Sequence, residues 1–424
     1  MPKLNVLVFP YGTEISYEIL RSLKNHKLFQ TVPASSDPAL AEFEPGIHIV
    51  PYVIHSQFSR EILKLVDREN IDVVVPAHDD VALIFSEMNW PSNVRVVGHS
   101  SYVNKIVRNK DRAYQYFEGK LDLPKVFHLD EQLDLPIFIK PKIGQGSRCA
   151  HKVMTPLELE YYSEKYSLSD FVISEYLPGT EYTVDCFSVR GNLRYSGARE
   201  RQSVINGIAS VSCFVKDEHM YLKLKGMAKI ISDSLGMDGL WFFQAKLNSD
   251  GDPALLEIGA RTSGTVMLNR FAGVNLVEIA VFYAIGENVS IPKPDFDVVL
   301  RRTLVPKCKV YTGYKKLYVD FDDTLLLNES TINAELMAVV FKAKNRGISV
   351  SIITKNQKRN LAKVLNFFGV SSVFDEIIHL PPDGDKSLYA SEGALFIDDS
   401  FSERESVVSK GAVAIGLDML DSVG

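Results

Sequence analysis

Short apolar runs alternate with amphipathic stretches over the first hundred or so residues. Asn5–Phe9 (NVLVF) reads as a buried strand, followed by helical patterns over 14–26 (EISYEILRSLKNH) and 58–71 (FSREILKLVDRENI). The runs at 71–77 (IDVVVPA) and 93–98 (NVRVVG) complete the strand set. Strands alternating with helices predict a parallel α/β sheet. The turn FPYGTEIS after the first strand carries one glycine, so it lacks the three-glycine dinucleotide fingerprint. It reads as a structural turn, or as a helix N-terminus able to hold an anion.

Further along, NKIVRNKDRAYQYF (104–117) predicts one basic helix, and PIFIKPKIGQGSRCAHKV (136–153) predicts strand, glycine-rich turn, strand. FVISEYLPGTEYTVDCFSVRG follows, then a basic loop GARERQSVINGIAS and a helix over about Tyr221 to Leu235. Strands carrying Gln244 and Glu257 and a helix near VNLVEIAVFYAIG end this region. The proline- and lysine-rich stretch 291–316 marks a boundary, and a fresh strand–helix alternation begins at Leu317. There is no internal repeat and no low-complexity tract.

A chain of 424 residues is too long for one typical core, which predicts two or three domains. Its 46% hydrophobic and 24% charged residues are those of a soluble globular protein. The net charge of −6 leaves no basic footprint for nucleic acid. Cys149, Cys186, Cys213 and Cys308 are scattered without a CxxC pair, which reads as reduced thiols in the cytoplasm. The N-terminus lacks a signal-peptide pattern, and no apolar window approaches the ~18 residues of a membrane span.

Two groups of residues carry chemistry. In the first, no Walker loop occurs, but GQGSR (Gly144, Gly146, Ser147, Arg148) sits between two strands, where small residues let backbone amides approach phosphate oxygens. Lys140 in IFIKPK points away from the Ile139 side and reaches the same phosphates, unless the segment is a plain hairpin with an edge lysine. Glu257 lies within the apolar run ALLEIGA, where a carboxylate needs a metal or a partner; Gln244 on the neighbouring strand suits the former, and Arg261 offers the latter. In the second group, YVDFDDT places Asp320, Asp322, Asp323 and Thr324 at a strand end, Thr354 ends the next strand, and Asp398 and Asp399 end a third. Carboxylates gathered at strand ends of an open α/β sheet point to a magnesium–phosphate site.

Lys110 in RNKD, Lys140 before GQGS, SEYLPGTEY, Gln244 and EIGAR occur together in an order that resembles the ATP-grasp superfamily, in its carbamoyl-phosphate-synthase-like branch of carboxylate–amine ligases. The resemblance spans about residues 1–293. It implies an α/β pre-ATP-grasp domain (1–103), a two-lobed ATP-grasp domain (104–293) and a linker (294–315). By that resemblance Lys110 and Lys140 contact phosphates, Glu175, Tyr176 and Leu177 form the adenine hinge, and Glu181 binds ribose. Gln244 and Glu257 hold Mg2+, Arg261 stabilises the transferring group, and Arg199 and Arg201 lie in a loop that meets the acyl substrate. The family usually has Asn two residues after the metal glutamate, where this chain has Gly259. The implied chemistry is phosphoryl transfer from ATP to a carboxylate, followed by attack of an amine on the acyl phosphate.

Residues 316–424 resemble the haloacid-dehalogenase (HAD) phosphatases, a Rossmann-like α/β fold, here with no room for a cap domain. The resemblance makes Asp320 the nucleophile, Asp322 the general acid/base, and Thr354 and Lys386 the phosphate stabilisers, with Lys355 as a rival for the last role. Asp398, Asp320 and the carbonyl of Asp322 would hold Mg2+, supported by Asp399 or Glu403. The expectation is a multidomain α/β and α+β protein that joins an ADP-forming ligase to a phosphatase. Its partners would be a small carboxylate, an amine and a phosphorylated small molecule, and homodimers are the default assembly. Two alternatives stand beside it: a silent ATP-binding regulatory module on a phosphatase, and a small-molecule kinase.

Overall fold

The computed structural model describes residues 3–44, 46–128, 131, 133–205, 207–292, 298–303, 313–357 and 360–422. The chain divides into two units, Met1–Leu304 and Val305–Gly424. The dividing point lies within the proline- and lysine-rich stretch, most of which, Cys308 included, is outside the described residues. Cys149, Cys186 and Cys213 carry thiols rather than disulfides. Among the described residues no helix is long and apolar enough to cross a membrane.

The first unit opens with the expected parallel sheet. Strands β1 (Leu4–Phe9), β2 (Phe29–Ser35), β3 (His48–Ile49), β4 (Ile71–Pro76) and β5 (Arg95–Val96) lie in the order β3-β2-β1-β4-β5. They are joined by helices α1 (Glu14–Ser22), α2 (Ala39–Phe43), α3 (Phe58–Arg68) and α4 (Asp79–Glu87). Both faces of the central strands are apolar because both are covered. Leu7, Phe9 and Val74 pack on Phe58, Ile62 and Phe85. Val6, Val8, Val73 and Val75 pack on Phe187, Leu240, Val277 and Val281 from further along the chain. That second contact makes residues 1–103 and the following region one compact unit.

The predicted basic helix 104–117 is two helices, α5 (Ser101–Val107) and α6 (Lys110–Phe117). Asn109 breaks it: its side chain accepts from the amides of Asp111 and Arg112 and caps α6, the role for which asparagine is favoured. Lys110 thereby becomes the first residue of a helix. A small sheet follows, ordered β7-β6-β8, from β6 (Ile137–Pro141), β7 (His151–Val153) and β8 (Phe171–Glu175), with α7 (Pro156–Lys165) between the last two. The glycine-rich turn joins β6 to β7, as expected.

The large antiparallel sheet consists of β9 (Glu181–Val189), β10 (Asn192–Ile205), β11 (Ile208–Phe214), β12 (Gly239–Leu247), β13 (Pro253–Gly259) and β14 (Val299–Arg301), ordered β13-β12-β9-β10-β11-β14. The predicted basic loop is mostly strand: β10 runs through Arg199 and Arg201 and pairs antiparallel with β11; Asn206, between them, lies outside the described residues. Helix α8 (Glu218–Leu235) starts three residues earlier than predicted, because Asp217 accepts from the Met220 amide and caps it there. It buries Leu224, Ala228 and Ile231 against Trp241 and Phe243. Helices α9 (Met267–Phe271) and α10 (Leu276–Ala284) complete the unit.

The second unit is a parallel sheet, β19-β18-β15-β20-β21, built from β15 (Lys316–Val319), β18 (Ser349–Thr354), β19 (Glu376–His379), β20 (Ala394–Ile397) and β21 (Val413–Ile415). Helices α11 (Ala334–Asn345), α12 (Leu361–Phe367) and α13 (Phe401–Ser409) accompany it. A two-stranded ladder, β16 (Leu326–Leu327) with β17 (Thr331–Ile332), precedes α11. Between β15 and β18 lie that hairpin and α11.

Candidate active sites

The first unit holds a cavity of about 550 Å3 between the small and large sheets. The residues expected to contact nucleotide, Lys110, Lys140, Gly144, Gly146, Ser147, Glu175, Tyr176, Leu177 and Glu181, all line it, as do Gln244 and Glu257, expected to hold Mg2+. Lys140 follows Ile139 on β6, and the pleat sends Ile139 into the core and Lys140 to the cavity. Its ammonium donates to Tyr114 Oη (2.6 Å) and to the Leu256 carbonyl (3.1 Å). Burial pulls the Lys140 pKa down to about 8, against the opposing pull of Glu257. Burial lowers Lys110 as well, with Glu257 again opposing. Lys110 Nζ donates to the Gly144 carbonyl (3.0 Å) and lies 3.6 Å from Glu257 Oε2.

Gln244 and Glu257 face each other across the β12–β13 pair. Directly opposed residues project to the same side of a sheet, so an amide and a carboxylate oxygen converge beside the two lysines. At the other end Tyr176 lies between Lys152 and Lys246, whose ammonium groups stand 3.8 and 4.9 Å from its ring centre. Glu175 Oε1 accepts from the Lys125 amide (2.8 Å) and Leu177 is buried, which fixes the segment between the lobes. Over the cavity, Ser147 Oγ reaches the Gly207 carbonyl (3.4 Å), so the glycine-rich turn meets the β10–β11 tip.

A second chamber of about 340 Å3 adjoins the first and shares Lys110, Arg201, Gln244 and Glu257 with it. Arg261 and Arg199 belong to this chamber, not to the larger one. Arg261 Nη2 donates to Asp79 (2.7 Å), and its guanidinium lies over the Phe242 ring at 5.3 Å. Arg199 departs from its expected place in a loop. It is fully buried on β10, bonded to Asp185 (2.8 Å), Ser263 (2.8 Å) and Thr265, so it forms the chamber's wall. Arg201 pairs with Glu181 and donates to the Gly207 carbonyl (2.7 Å). Two further ion pairs were not foreseen: Arg108 with Asp80 (2.7 Å) and Arg302 with Glu14.

Position 259 has a physical reason to be glycine. A Cβ there would stand 2.2 Å from Phe242 Cε1, so the phenyl ring occupies the space an asparagine side chain would need. Lys246 was also missed, although it lies two residues after Gln244 on the same strand and so on the same face.

The second unit gathers its expected residues at the carboxyl ends of three adjacent strands. Lys386 Nζ donates to Asp320 Oδ1 and to Asp398 Oδ2, both at 2.6 Å. Lys355, the rival lysine, pairs with Glu403 at 2.5 Å. Oxygens of Asp320, Asp398 and Asp399 lie within 4.8 Å of one another. Asp322's carboxylate accepts instead from Asn356 Nδ2, at 2.7 Å to each oxygen. Burial pushes Asp320 up to about 7, with Lys386 resisting. Lys386 itself is held above its ordinary value because Asp320 and Asp398 outweigh its burial. Thr354 is buried and accepts from the Asn356 amide (3.0 Å), while Thr324 bonds Asp399 (3.0 Å). Arg404, unforeseen, ties the loop down by donating to the carbonyls of Asp398 and Asp399 at 2.7 Å.

Residues 167–304 match the family described as "ATP-grasp in the biosynthetic pathway with Ter operon". No curated protein matches the chain by sequence. Among solved structures, the biotin carboxylase domain of Hydrogenobacter thermophilus 2-oxoglutarate carboxylase, in complex with MgADP, ADP and bicarbonate, is 15% identical, with a TM-score of 0.59 over 70% of this chain and 73% of that one. The L-amino acid ligase from Bacillus licheniformis is 18% identical, with a TM-score of 0.54 over 68% and 75%. Staphylococcus aureus N5-carboxyaminoimidazole synthetase complexed with ADP is 12% identical, with a TM-score of 0.55 over 68% and 79%. At such identities the likeness is one of fold, and together with the family match it shows that the first unit carries an ATP-grasp domain.

Proposed function

We propose that the chain is an ATP-dependent carboxylate–amine ligase joined to a magnesium-dependent phosphohydrolase of the HAD type. The observation that carries the first half is the convergence of Lys110, Lys140, Gln244 and Glu257 at one end of a single cavity, with the Glu175–Leu177 segment at the other. Similar folds are solved with MgADP and with ADP, and the cavity's polarity suits a nucleotide laid with its phosphates on the lysines. The oxygen donors of Gln244 and Glu257 fit magnesium, which leans on substrate phosphates instead of a full protein cage. The metal would supply charge neutralisation at those phosphates.

The residues of the chain do the rest by position and charge. Lys110 and Lys140 hold the phosphates. Arg261, which lines the adjoining chamber, would stabilise the transferring phosphoryl group as a carboxylate oxygen attacks the γ-phosphorus. That oxygen forms a bond to phosphorus, the bond to the β-phosphate oxygen breaks, and ADP leaves with the electron pair. The amine then attacks the acyl carbon, inorganic phosphate departs, and the nitrogen gives up its proton.

For the second half the supporting observation is the gathering of Asp320, Asp398 and Asp399, an all-oxygen set that fits magnesium, with Lys386 bonded to the first two. Asp320 would attack phosphorus to give an aspartyl phosphate, Asp322 would protonate the leaving oxygen, and water would then release phosphate. Lys386 opposes the burial that favours the protonated form of Asp320, and it balances the incoming phosphate.

The test separates the halves. Glu257→Gln should reduce acceptor-dependent ADP release by about 100-fold or more, leaving hydrolysis of p-nitrophenyl phosphate intact. Asp320→Asn should do the reverse. If Glu257→Gln releases ADP at the parent rate, the ligase assignment is wrong. Phosphatase activity that survives Asp320→Asn would remove the second assignment.

A further inference from the structure

The smaller chamber of the first unit carries an inference about what the ligase activates, and it rests on the ligase reading above. In the parallel sheet the strand order reverses direction between β1 and β4. Ligand crevices in open α/β sheets form at such a switch point, outside the carboxyl ends of the strands. Thr13, Glu14 and Ile15 follow β1, Asp79 follows β4, and all four line the chamber that also contains Glu257 and Arg261. The crevice of the parallel sheet thus opens onto the phosphate end of the nucleotide cavity.

The charges there are matched one to one. Setting aside Arg148, which is exposed on the glycine-rich turn, each cation lining the chamber has a carboxylate: Arg108 with Asp80, Lys110 with Glu257, Arg199 with Asp185, Arg201 with Glu181, Arg261 with Asp79, and Arg302 with Glu14. Two of these pairs, Arg261–Asp79 and Arg302–Glu14, tie the crevice residues to the large-sheet side. The buried Nε atoms of Arg261 and Arg201 nevertheless lack a hydrogen-bond partner, so donors remain for a ligand. Burial acts to raise the Asp79 pKa, but Arg261 and Arg108 hold the carboxyl below its usual value and therefore ionised.

A bare carboxylate entering this chamber would draw Arg261 or Arg302 toward itself and leave Asp79 or Glu14 without its partner. For Arg261 and Asp79, whose side chains are only 8% and 16% exposed, the loss is costly because it strands a largely buried charge; Glu14, at 54%, is partly relieved by water. An acceptor that brings its own cation avoids the cost: its carboxylate takes the guanidinium and its ammonium takes the released acid. We infer that the acid activated by this ligase is a zwitterion, an amino acid or a peptide, whose ammonium group is read by Glu14 and Asp79 at the switch-point crevice. An ammonium held this way is protonated and cannot serve as the attacking amine, so the second substrate supplies the nucleophile.

The full chain is assayed with magnesium-ATP and hydroxylamine as a general nucleophile, measuring ADP and hydroxamate. The acids are the common amino acids, each against its deaminated counterpart, such as alanine against propionate and glutamate against glutarate. The expected result is hydroxamate from at least one amino acid, with kcat/KM at least about tenfold above its deaminated partner. Glu14→Gln, at a half-exposed position, should bring that ratio toward unity by raising KM for the amino acid without lowering kcat/KM for the deaminated acid. Deaminated acids that react as well as amino acids would overturn the zwitterion and leave the ligase standing. An unchanged ratio in Glu14→Gln would remove Glu14 from the assignment. If neither class of acid elicits ADP release, the ligase reading fails and this inference fails with it.

Discussion

Of the residues proposed to hold the nucleotide, Lys140 makes the sharpest prediction. Its side chain is buried against Tyr114 and the Leu256 carbonyl, and burial brings its pKa to about 8. Phosphates favour the charged ammonium, so ATP binding takes up a proton wherever the unliganded lysine is neutral. Affinity should therefore be level below about pH 8 and fall as pH rises above it, by at most roughly tenfold per pH unit. Lys140→Arg should flatten that fall, since a guanidinium does not titrate in the range. Calorimetric titration of ATP from about pH 7 to about pH 9.5 reads the slope. Identical slopes in parent and variant would separate Lys140 from the phosphates. Residues of this kind were legible in the sequence because each breaks a local rule: a lysine in an apolar strand, a glutamate in ALLEIGA, aspartates at a strand end. Glu14 and Arg302 break none. They lie far apart in the chain at ordinary turns and strand ends, and only the fold brings them together.

At the scale of elements, β12 and β13 show how a neighbour decides a site. Phe242 and Gly259 are direct partners in this pair, and the ring fills the place of a side chain at 259 while supporting Arg261. The missing asparagine is thus one half of an exchange, with an aromatic ring as the other half. Gly259→Asn should be destabilising by about 1–3 kcal/mol through overpacking, seen as a lower melting temperature. Phe242→Leu in the same chain should recover part of the loss. A melting temperature unchanged by Gly259→Asn alone would contradict the packing argument. Elements with a clear period, such as β1, β4, α3 and α8, were legible along the chain. The break at Asn109 and the long strand through Arg199 were not. In the first case a single cap outweighs a helical pattern. In the second, the basic run GARERQSVINGIAS reads as a loop, whereas its buried Arg199 is neutralised by Asp185, a partner 14 residues away.

For the whole molecule, the two proposed sites lie in different units: among the described residues, those lining the cavity all belong to the first unit, and Asp320, Asp398 and Asp399 belong to the second. Inactivating the phosphatase should accordingly leave the ligase at work and preserve any phosphorylated product. Asp320→Asn protein incubated with magnesium-ATP and a small-metabolite extract, followed by mass spectrometry, tests the account most directly. The predicted result is a new conjugate, formed together with ADP and absent when Glu257→Gln is added to the same chain. Nucleotide that stays bound and unhydrolysed whatever acid and amine are supplied would contradict the account, leaving the first unit a nucleotide-binding module and the second the sole enzyme.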